Sequence, residues 1–238
     1  MPPAAGLDDA QRRGIQLICP GEPGWPAGLD DLGAARPYAL WARGSGSPAA
    51  CGRRAVAVVG SRAATAFGTH VAAQFAAGLA GEGWTVVSGA AYGIDGAAHT
   101  GALAAGGPTV AVLACGVDHT CPSGHRALVE AIAALGAVVS EYPPGQLPDR
   151  RRFLARNRIT AALTAGIVVV EAGVRGGTLN TARHARDLRR AVMAVPGPVT
   201  SGQSAGCHQL IRDHQAMCVT DAADVIAYLS PAAAGEHG

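Results

Sequence analysis

The chain contains no lysine, so all 19 of its basic residues are arginines. This absence excludes a catalytic lysine, whether a general base or a Schiff-base former, and it also excludes a Walker A phosphate loop. An arginine stays protonated and can bind phosphate or carboxylate at two points. Any permanently cationic side chain that contacts a phosphate in this protein must therefore be an arginine.

Charged and aromatic residues are scarce, at 15% and 4% of the 238 residues, whereas hydrophobic residues make up 49%. This composition predicts a folded chain with a sizeable core, organised as one large domain or two small ones. The formal net charge is only +2, which by itself is a weak reason to suspect a nucleic-acid partner.

Export signals and membrane spans are not evident. No N-terminal segment combines basic residues, an apolar stretch and a cleavage site, so we expect a cytoplasmic protein. The uncharged stretches 63–81 and 96–117 approach the length of a membrane span. We interpret each of them instead as a helix, or a helix plus a strand, in a soluble core. The six cysteines form no C-x-x-C pair, and in a reducing compartment we expect free thiols.

A strand-helix alternation begins near residue 55. Short apolar runs that favour strands alternate with alanine-rich segments that favour helices, at the spacing of βαβ units. The predicted strands are 56–59, 85–87, 109–113, 137–139, 167–170 and 192–195. The predicted helices are 68–81, 94–105, 124–135, 155–165 and 178–189. Near-continuous apolar strands indicate a parallel sheet that is covered on both faces.

We therefore predict an α/β protein with an extended Rossmann-like, doubly wound, mostly parallel sheet and helices on both faces. The sheet domain is assigned to 55–229. Residues 1–54, which are rich in proline and glycine turns, are interpreted as an N-terminal arm or lead-in segment, whose apolar part 38–41 could pack beside the sheet. Residues 230–238 are predicted to be a flexible tail.

Glycine and hydroxyl residues follow several of the predicted strands, as in Gly60-Ser61-Arg62 and Ser88-Gly89. Ligands of open parallel sheets bind beyond the carboxyl ends of the strands, where backbone amides and helix N-termini favour anions. We therefore expect an anionic ligand at this edge. The turn after the first strand lacks the G-x-G-x-x-G spacing, and no acidic residue ends the second strand, which disfavours a nicotinamide or flavin enzyme.

The window 149–158, D-R-R-R-F-L-A-R-N-R, holds five arginines and one phenylalanine. Guanidinium groups that follow phosphates beside an aromatic stacking face are typical of single-stranded nucleic-acid sites. The alternative is a solvated basic loop with Phe153 packed in the core. A second cluster, Arg183, Arg186 and Arg190, has helical spacing and is interpreted as a solvated helix face.

Metal and hydrolytic sites are weaker possibilities. The segment 115–125 brings together Cys115, His119, Cys121 and His125, but a single loop does not supply the two separated ligand pairs of usual zinc sites, so no metal is expected. A hydrolytic enzyme would draw on the acids and the histidine near the strand ends, which are Asp95, His99, Asp118, Glu141 and Glu171. Each acid could equally be a helix cap or an arginine partner.

Six motifs, in order, resemble the DNA-processing protein A (DprA or Smf) family: G-S-R at 60–62, S-G-A-A-Y-G-I-D-G-A-A-H at 88–99, F-L-A-R-N-R-I at 153–159, V-V-E-A at 169–172, G-G-T-L-N-T-A at 176–182 and A-V-P-G at 194–197. The resemblance covers about 55–226 and implies a domain that binds single-stranded DNA without sequence preference. It also implies a homodimer, loading of the recombinase RecA during natural transformation, no cofactor and no catalytic activity.

The resemblance implies a set of DNA-binding residues. These are Gly60, Ser61, Arg62, Ser88, Gly89, Arg150, Phe153, Arg156, Asn157, Arg158, Gly176 and Gly177. Arg62 and Arg150 would contact phosphates, and Phe153 would stack on a base. The sequence departs from the family where Leu154 replaces a proline and where Gly176 replaces a serine, so that a hydroxyl donor is lost.

Two other classes stay open. A nucleotide-processing enzyme of the LOG-like superfamily would share the sheet and a glycine-rich loop, but its P-G-G-x-G-T-x-x-E motif needs a glutamate where 176–181 offers no acid. A nucleotide-sensing regulatory domain also remains, because a phosphate pocket alone does not distinguish a mononucleotide from DNA.

Overall fold

The computed structural model describes residues 4–230. The strands of this part are β1 Gln16–Ile18, β2 Leu40–Gly44, β3 Gly52–Val59, β4 Thr85–Ser88, β5 Thr109–Val112, β6 Ala137–Ser140, β7 Thr164–Val169, β8 Ala191–Ala194 and β9 Met217–Cys218. The helices are α1 Ala4–Arg12, α2 Ala66–Gly81, α3 Ile94–Ala104, α4 Arg126–Leu135, α5 Arg150–Ala162, α6 Gly177–Asp187, α7 Ala205–Arg212 and α8 Ala222–Leu229. Short 3₁₀ turns lie at Ala27–Ala35, Pro48–Ala50 and Ser123–His125.

The strands form a single sheet in the order β1-β2-β6-β5-β4-β3-β7-β8-β9. All neighbours from β6 to β9 are parallel, whereas β2 pairs antiparallel with both β1 and β6. Chain order reverses at β3, because β4 lies on one side of it and β7 on the other. This is the strand where an open parallel sheet is expected to place its ligand crevice.

Alternate residues of the central strands serve two cores, one on each face of the sheet. Val56 and Val58 of β3 pack with the helices α2, α3 and α8. Ala57 and Val59 pack in a cluster with Ala161 and with residues of α6 and α7 on the opposite face. The predicted fold class, a doubly wound and mostly parallel sheet with helices on both faces, is confirmed.

The N-terminal segment contributes to this sheet. Trp41 of β2 is in register with Ser140 of β6, and Leu17 of β1 with Trp41. The sheet therefore contains strands from both sides of the domain boundary that was predicted between residues 54 and 55. Of the segment 38–41, Leu40 and Trp41 are buried in the sheet while Tyr38 is fully exposed. The predicted flexible tail lies, apart from Ser230, outside the described residues.

The two uncharged stretches form a helix and a helix followed by a strand. Residues 63–81 contain α2, and 96–117 contain most of α3 followed by β5. Within residues 4–230, no helix combines the length and the apolar character needed to span a bilayer.

Helices α2 and α3 approach closely at Gly101, where a Cβ would overlap the main-chain carbonyl of Ala73. We predict that Gly101→Ala lowers the free energy of unfolding by about 1–3 kcal/mol, because the backbone of α2 must move to make room. Gly81→Ala at the end of α2, where nothing lies within 4 Å of the new Cβ, is the matched control. Urea unfolding that finds the two variants equally stable would contradict this packing.

Candidate nucleic-acid interface

A cleft of about 850 Å³ opens at the carboxyl edge of β3 and β7, between the N-terminal ends of α5 and α6. It is lined by ten of the residues selected from the sequence, which are Gly60, Ser61, Arg62, Gly89, Arg150, Phe153, Arg156, Asn157, Gly176 and Gly177. Four segments that are distant in sequence therefore meet at one site. The fold brings them together because parallel strands end at the same edge of a sheet.

The loop after β3 is held by the residue that follows β7. The main-chain N–H of Ser61 donates to the carbonyl of Glu171 at 2.8 Å. The carboxylate of Glu171, which has no exposed surface, accepts hydrogen bonds from the N–H of Thr65 at 2.9 Å and from its hydroxyl at 2.6 Å. Glu171, a hydrolytic candidate from the sequence, is thus bound to protein groups and fixes the shape of the Gly60–Thr65 loop.

The arginine-rich window forms the first turns of α5 and not a loop. Asp149 caps the helix, since its carboxylate accepts the N–H of Arg152 at 2.8 Å. Arg150, Phe153, Leu154 and Asn157 recur at helical spacing, and all four line the cleft. The helix was predicted to begin at 155, so the structure extends it by one and a half turns toward the ligand edge.

Arg62 and Phe153 contact each other across the cleft. The guanidinium carbon of Arg62 lies 4.3 Å from the centroid of the Phe153 ring. Arg62 is exposed, and in the described part of the chain no carboxylate lies within ion-pair distance of it. The guanidinium of Arg62, which is expected to bind a phosphate, therefore covers one face of the Phe153 ring. That ring is the one expected to stack on a base.

Arg156 lies buried at the cleft floor. Its Nη1 donates to the carbonyl of Val112 at 2.6 Å, and the side chain occupies the space that a Cβ at position 89 would need. Burial lowers the pKa of Arg156, and the nearby Asp95 opposes this effect. Burial likewise raises the pKa of Asp95, and the charge of Arg156 lowers it. These two opposite charges compensate one another inside the protein. Position 89 is a glycine because the guanidinium of Arg156 occupies the space that a Cβ there would need.

The two remaining residues of the predicted set lie outside the cleft lining. Ser88 is fully buried, and its hydroxyl donates to the carbonyl of Val58 at 2.7 Å. Arg158 binds both carboxylate oxygens of Glu141, at 2.7 and 2.6 Å, and donates to the carbonyl of Ala35 at 2.9 Å. Arg158 thus connects α5 to the end of β6 and to the N-terminal segment.

The N-terminus of α6 is open toward the cleft. Its cap is Gly176, so no side chain satisfies the first N–H groups. Asn157 ties α5 to this end by donating to the carbonyl of Gly177 at 3.1 Å and to Oδ1 of Asn180 at 3.2 Å. Unpaired N–H groups at a helix start favour an anion.

The accessible charge of the cleft is positive. Arg62, Arg150 and Arg175 are exposed there and form no ion pair in the part of the chain that the structure describes. Of the two lining acids, Asp149 pairs with Arg152 at 3.3 Å and Asp95 is buried beside Arg156. Three free guanidinium groups next to apolar Phe153 and Leu154 suit a polyanion that also carries flat, apolar groups.

Sequence reasoning left several lining residues out of the predicted site. Among them are Leu154, Thr160, Arg175, Thr178 and Gln203. Helical spacing from Phe153 and Asn157 could have found Thr160, and Arg175 adjoins the glycines already chosen. Gln203 belongs to the segment after β8, and nothing local in its sequence indicates that it reaches the cleft.

The residues considered for a metal do not assemble a site. Cys115 and Cys121 are joined to each other, contrary to the expectation of free thiols. His125 contacts the carbonyl of Ala90 at 2.9 Å through Nδ1. Within residues 4–230, no group of three or more metal-binding side chains is found. Asp118, an acid considered for catalysis, accepts the N–H of Gly145 at 3.0 Å and thereby shapes a loop.

Comparison with known proteins identifies the family. The family model for DNA recombination-mediator protein A matches residues 16–230. A Mycobacterium tuberculosis protein named as a DNA processing protein, DprA, is 53% identical over an alignment of 236 residues that covers 95% of this chain and 60% of that protein. The chain belongs to the DNA recombination-mediator protein A family.

Two solved structures of the family share the fold. DNA processing protein A of Streptococcus pneumoniae matches with a TM-score of 0.85 and 36% identity, over 94% of this chain and 78% of that one. The Helicobacter pylori protein, whose structure concerns its binding mode for single-stranded DNA, matches with a TM-score of 0.80 and 26% identity, over 90% and 95%. The chain spans about 60% of the length of its M. tuberculosis relative.

His99 is a buried structural residue. It has no exposed surface, its Nδ1 lies 2.8 Å from the hydroxyl of Thr109, and burial lowers its pKa from 6.5 to about 3. The unfolded chain therefore binds a proton below pH 6.5 that the folded protein does not bind until about pH 3. This histidine makes folding less favourable as pH falls through that window.

We predict that His99→Gln is less stable at pH 7.5 but loses less further stability between pH 6.5 and 5. In that range the wild-type histidine should contribute a slope approaching about 1.4 kcal/mol per pH unit. Denaturant unfolding across pH measures it. His70→Gln, an exposed histidine of α2, should keep the wild-type slope, and an unchanged slope in His99→Gln would contradict the assignment.

Proposed function

We propose that this protein binds single-stranded DNA in the cleft and acts as a recombination mediator that protects incoming DNA and loads RecA. The observation that carries the proposal is a set of three exposed guanidinium groups, of Arg62, Arg150 and Arg175, that form no ion pair within residues 4–230 and lie beside Phe153 and Leu154. Guanidinium groups can follow successive phosphates, and apolar surface between them can contact bases without reading sequence. Membership of the family and the single-stranded DNA binding of its H. pylori relative support this reading.

We propose further that the protein has no catalytic activity of its own. The open N-terminus of α6 is the feature that it would share with a LOG-like nucleotide-processing enzyme. Leu179, Asn180 and Thr181 follow there, however, and no acid stands in this turn. The nearby Glu171 is bound to Thr65 and buried, so it is not free to act on a nucleotide.

Binding should distinguish strand type and depend on salt. Fluorescence anisotropy with labelled oligo-dT and a duplex of the same length is expected to show tighter binding of the single strand, weakening as salt rises. Arg62→Ala and Arg150→Ala should each weaken binding about tenfold, since each removes a charged hydrogen bond. Each should also reduce the slope of log K against log salt by about 0.7.

The matched control is Arg183→Ala, an exposed arginine of α6 that pairs with Asp187 at 3.8 Å and does not line the cleft. It should keep the affinity and the salt slope of the wild type. Equal or absent binding of the two DNA forms at low salt would refute the proposal. Tight binding and turnover of a free nucleotide would instead favour the enzyme.

The proposal includes a homodimer in the cytoplasm and RecA as a partner, which are the properties that the resemblance to the family implies. Sedimentation velocity at micromolar concentration is expected to give twice the mass of the 23.8 kDa chain. Addition of RecA and oligo-dT should produce a faster boundary that contains both proteins. A monomer alone, or RecA that sediments independently of this protein, would contradict the corresponding part.

A further inference from the structure

The bonded pair Cys115 and Cys121 is a chemical feature that the proposed function does not use. Cys115 follows β5 and has no exposed surface, whereas Cys121 precedes the Ser123–His125 turn and is 7% exposed. The bond therefore closes the β5–α4 loop, and Cys121 is the end of the bond that borders on solvent.

The other four cysteines, all within residues 4–230, are free and lack the features of a reactive pair. Cys51 and Cys207 are buried, and burial raises the pKa of each thiol to about 12. A thiol that stays protonated is a poor nucleophile. Cys19 and Cys218 are more accessible, but neither is bonded to another cysteine. The bonded pair is thus the place in the described chain where thiol–disulfide exchange has a partner thiol at hand.

The closed loop is bonded to the segment that follows β6. The main-chain N–H of Gly116 donates to the carbonyl of Gln146 at 2.8 Å. The carboxylate of Asp118 accepts the main-chain N–H of Gly145 at 3.0 Å. Gly116 and Asp118 both lie between the two cysteines, so the disulfide restricts the part of the loop that makes these contacts.

The same loop contacts the N-terminal segment. The carbonyl of Val117 accepts a hydrogen bond from Nε of Arg43 in β2 at 2.7 Å. The carboxylate of Asp118 lies 3.5 Å from Nη2 of Arg13, the residue after α1. Opening the disulfide would enlarge the set of conformations open to the loop, and only some of these make all of the contacts.

We propose that Cys115 and Cys121 are a reversible modification site that exchanges with small thiols and disulfides, so that oxidation fixes the β5–α4 loop and reduction releases it. Disulfides in reducing compartments are usually transient, and many of them sense the redox state, which suits a pair with one accessible end. The inference does not depend on the proposed DNA-binding function, because its readouts are the thiols and the loop itself.

Reduction by a dithiol proceeds as two exchanges. A thiolate of the dithiol attacks Sγ of Cys121, the S–S bond breaks, and Cys115 leaves as a thiolate that takes up a proton. The second thiolate of the dithiol then attacks the first dithiol sulfur, and Cys121 leaves in the same way. Two electrons and two protons pass to the cysteines, and the dithiol ends as a cyclic disulfide. Oxidation by glutathione disulfide runs such exchanges in the opposite direction and releases two molecules of glutathione.

The sequence allows the pair to be followed separately from the other cysteines. No arginine or lysine lies between Arg62 and Arg126, so trypsin releases one peptide, 63–126, that holds both cysteines of the pair and no other. The folded full chain is treated with glutathione disulfide or with dithiothreitol, freed of reagent, denatured, alkylated with iodoacetamide and digested. Mass spectrometry should find no alkyl group on this peptide after oxidation and two after reduction, and exchanging the treatments should reverse the result.

Two outcomes of this experiment would overturn the proposal. Two alkyl groups after both treatments would mean that the pair does not close in the folded protein. A peptide that stays unmodified after reduction, and gains alkyl groups only when the reductant is added to unfolded protein, would mean that the bond is permanent and structural.

Release of the loop has its own measurement. Hydrogen exchange at the N–H groups of Gly116 and Gly145 should become faster on reduction. The N–H of Val170, which donates to the carbonyl of Val59 in the central sheet at 3.0 Å, should exchange as before. The thermal midpoint should fall by about 5 °C, since a short closed loop is opened. Unchanged exchange at both glycines would show that the loop is held without the bond, against the proposal.

Matched variants connect these responses to the pair. Cys121→Ser cannot close the loop, so its thermal midpoint should not respond to dithiothreitol. Cys218→Ser makes the same chemical change at an exposed free cysteine of β9 and should respond like the wild type. A response that persists in Cys121→Ser, or that disappears in Cys218→Ser, would assign the effect to other cysteines and overturn the inference.

Discussion

The buried carboxylate of Glu171 organises the cleft. It lies at the end of β7 and binds the N–H and the hydroxyl of Thr65, whose side chain in turn caps α2 by accepting the N–H of Gly68 at 3.1 Å. A buried carboxylate is costly unless it is hydrogen-bonded, so this arrangement favours one conformation of the β3–α2 loop strongly. A Cβ at Gly68 would overlap the carboxylate. The position of the Arg62 backbone at the edge of the cleft follows from this anchor.

The arginines of the chain divide into structural and accessible groups, and this division reconciles a nearly neutral protein with a DNA-binding proposal. Arg156 is buried beside Asp95, and Arg158 binds both carboxylate oxygens of Glu141, so each of these charges is compensated where it stands. Arg62, Arg150 and Arg175 remain open at one edge of the sheet. A local concentration of uncompensated charge attracts a polyanion even where the net charge is only +2.

Local patterns predicted the central elements well because buried parallel strands and alanine-rich crossover helices have strong compositional signals. They failed for β1, β2 and β9, which contain three, five and two residues. Such short segments become strands only because each pairs with a neighbouring strand. In β2, for example, Trp41 lies opposite Ser140 of β6. The start of α5 was missed although Asp149 is a good N-cap, because the arginine run lacks the apolar periodicity that marks a helix.

The sequence alone determined the order of βαβ units, the edge where a ligand would bind, the family motifs and the requirement that every permanently cationic side chain be an arginine. Tertiary structure decided which of the motif residues are available. Arg62 and Arg156 both belong to motifs of the family, yet one is exposed above Phe153 and the other is buried beside Asp95. Residue type and spacing set the chemistry that a side chain can perform. Its neighbours from distant segments set whether that chemistry is used inside the protein or offered to a ligand.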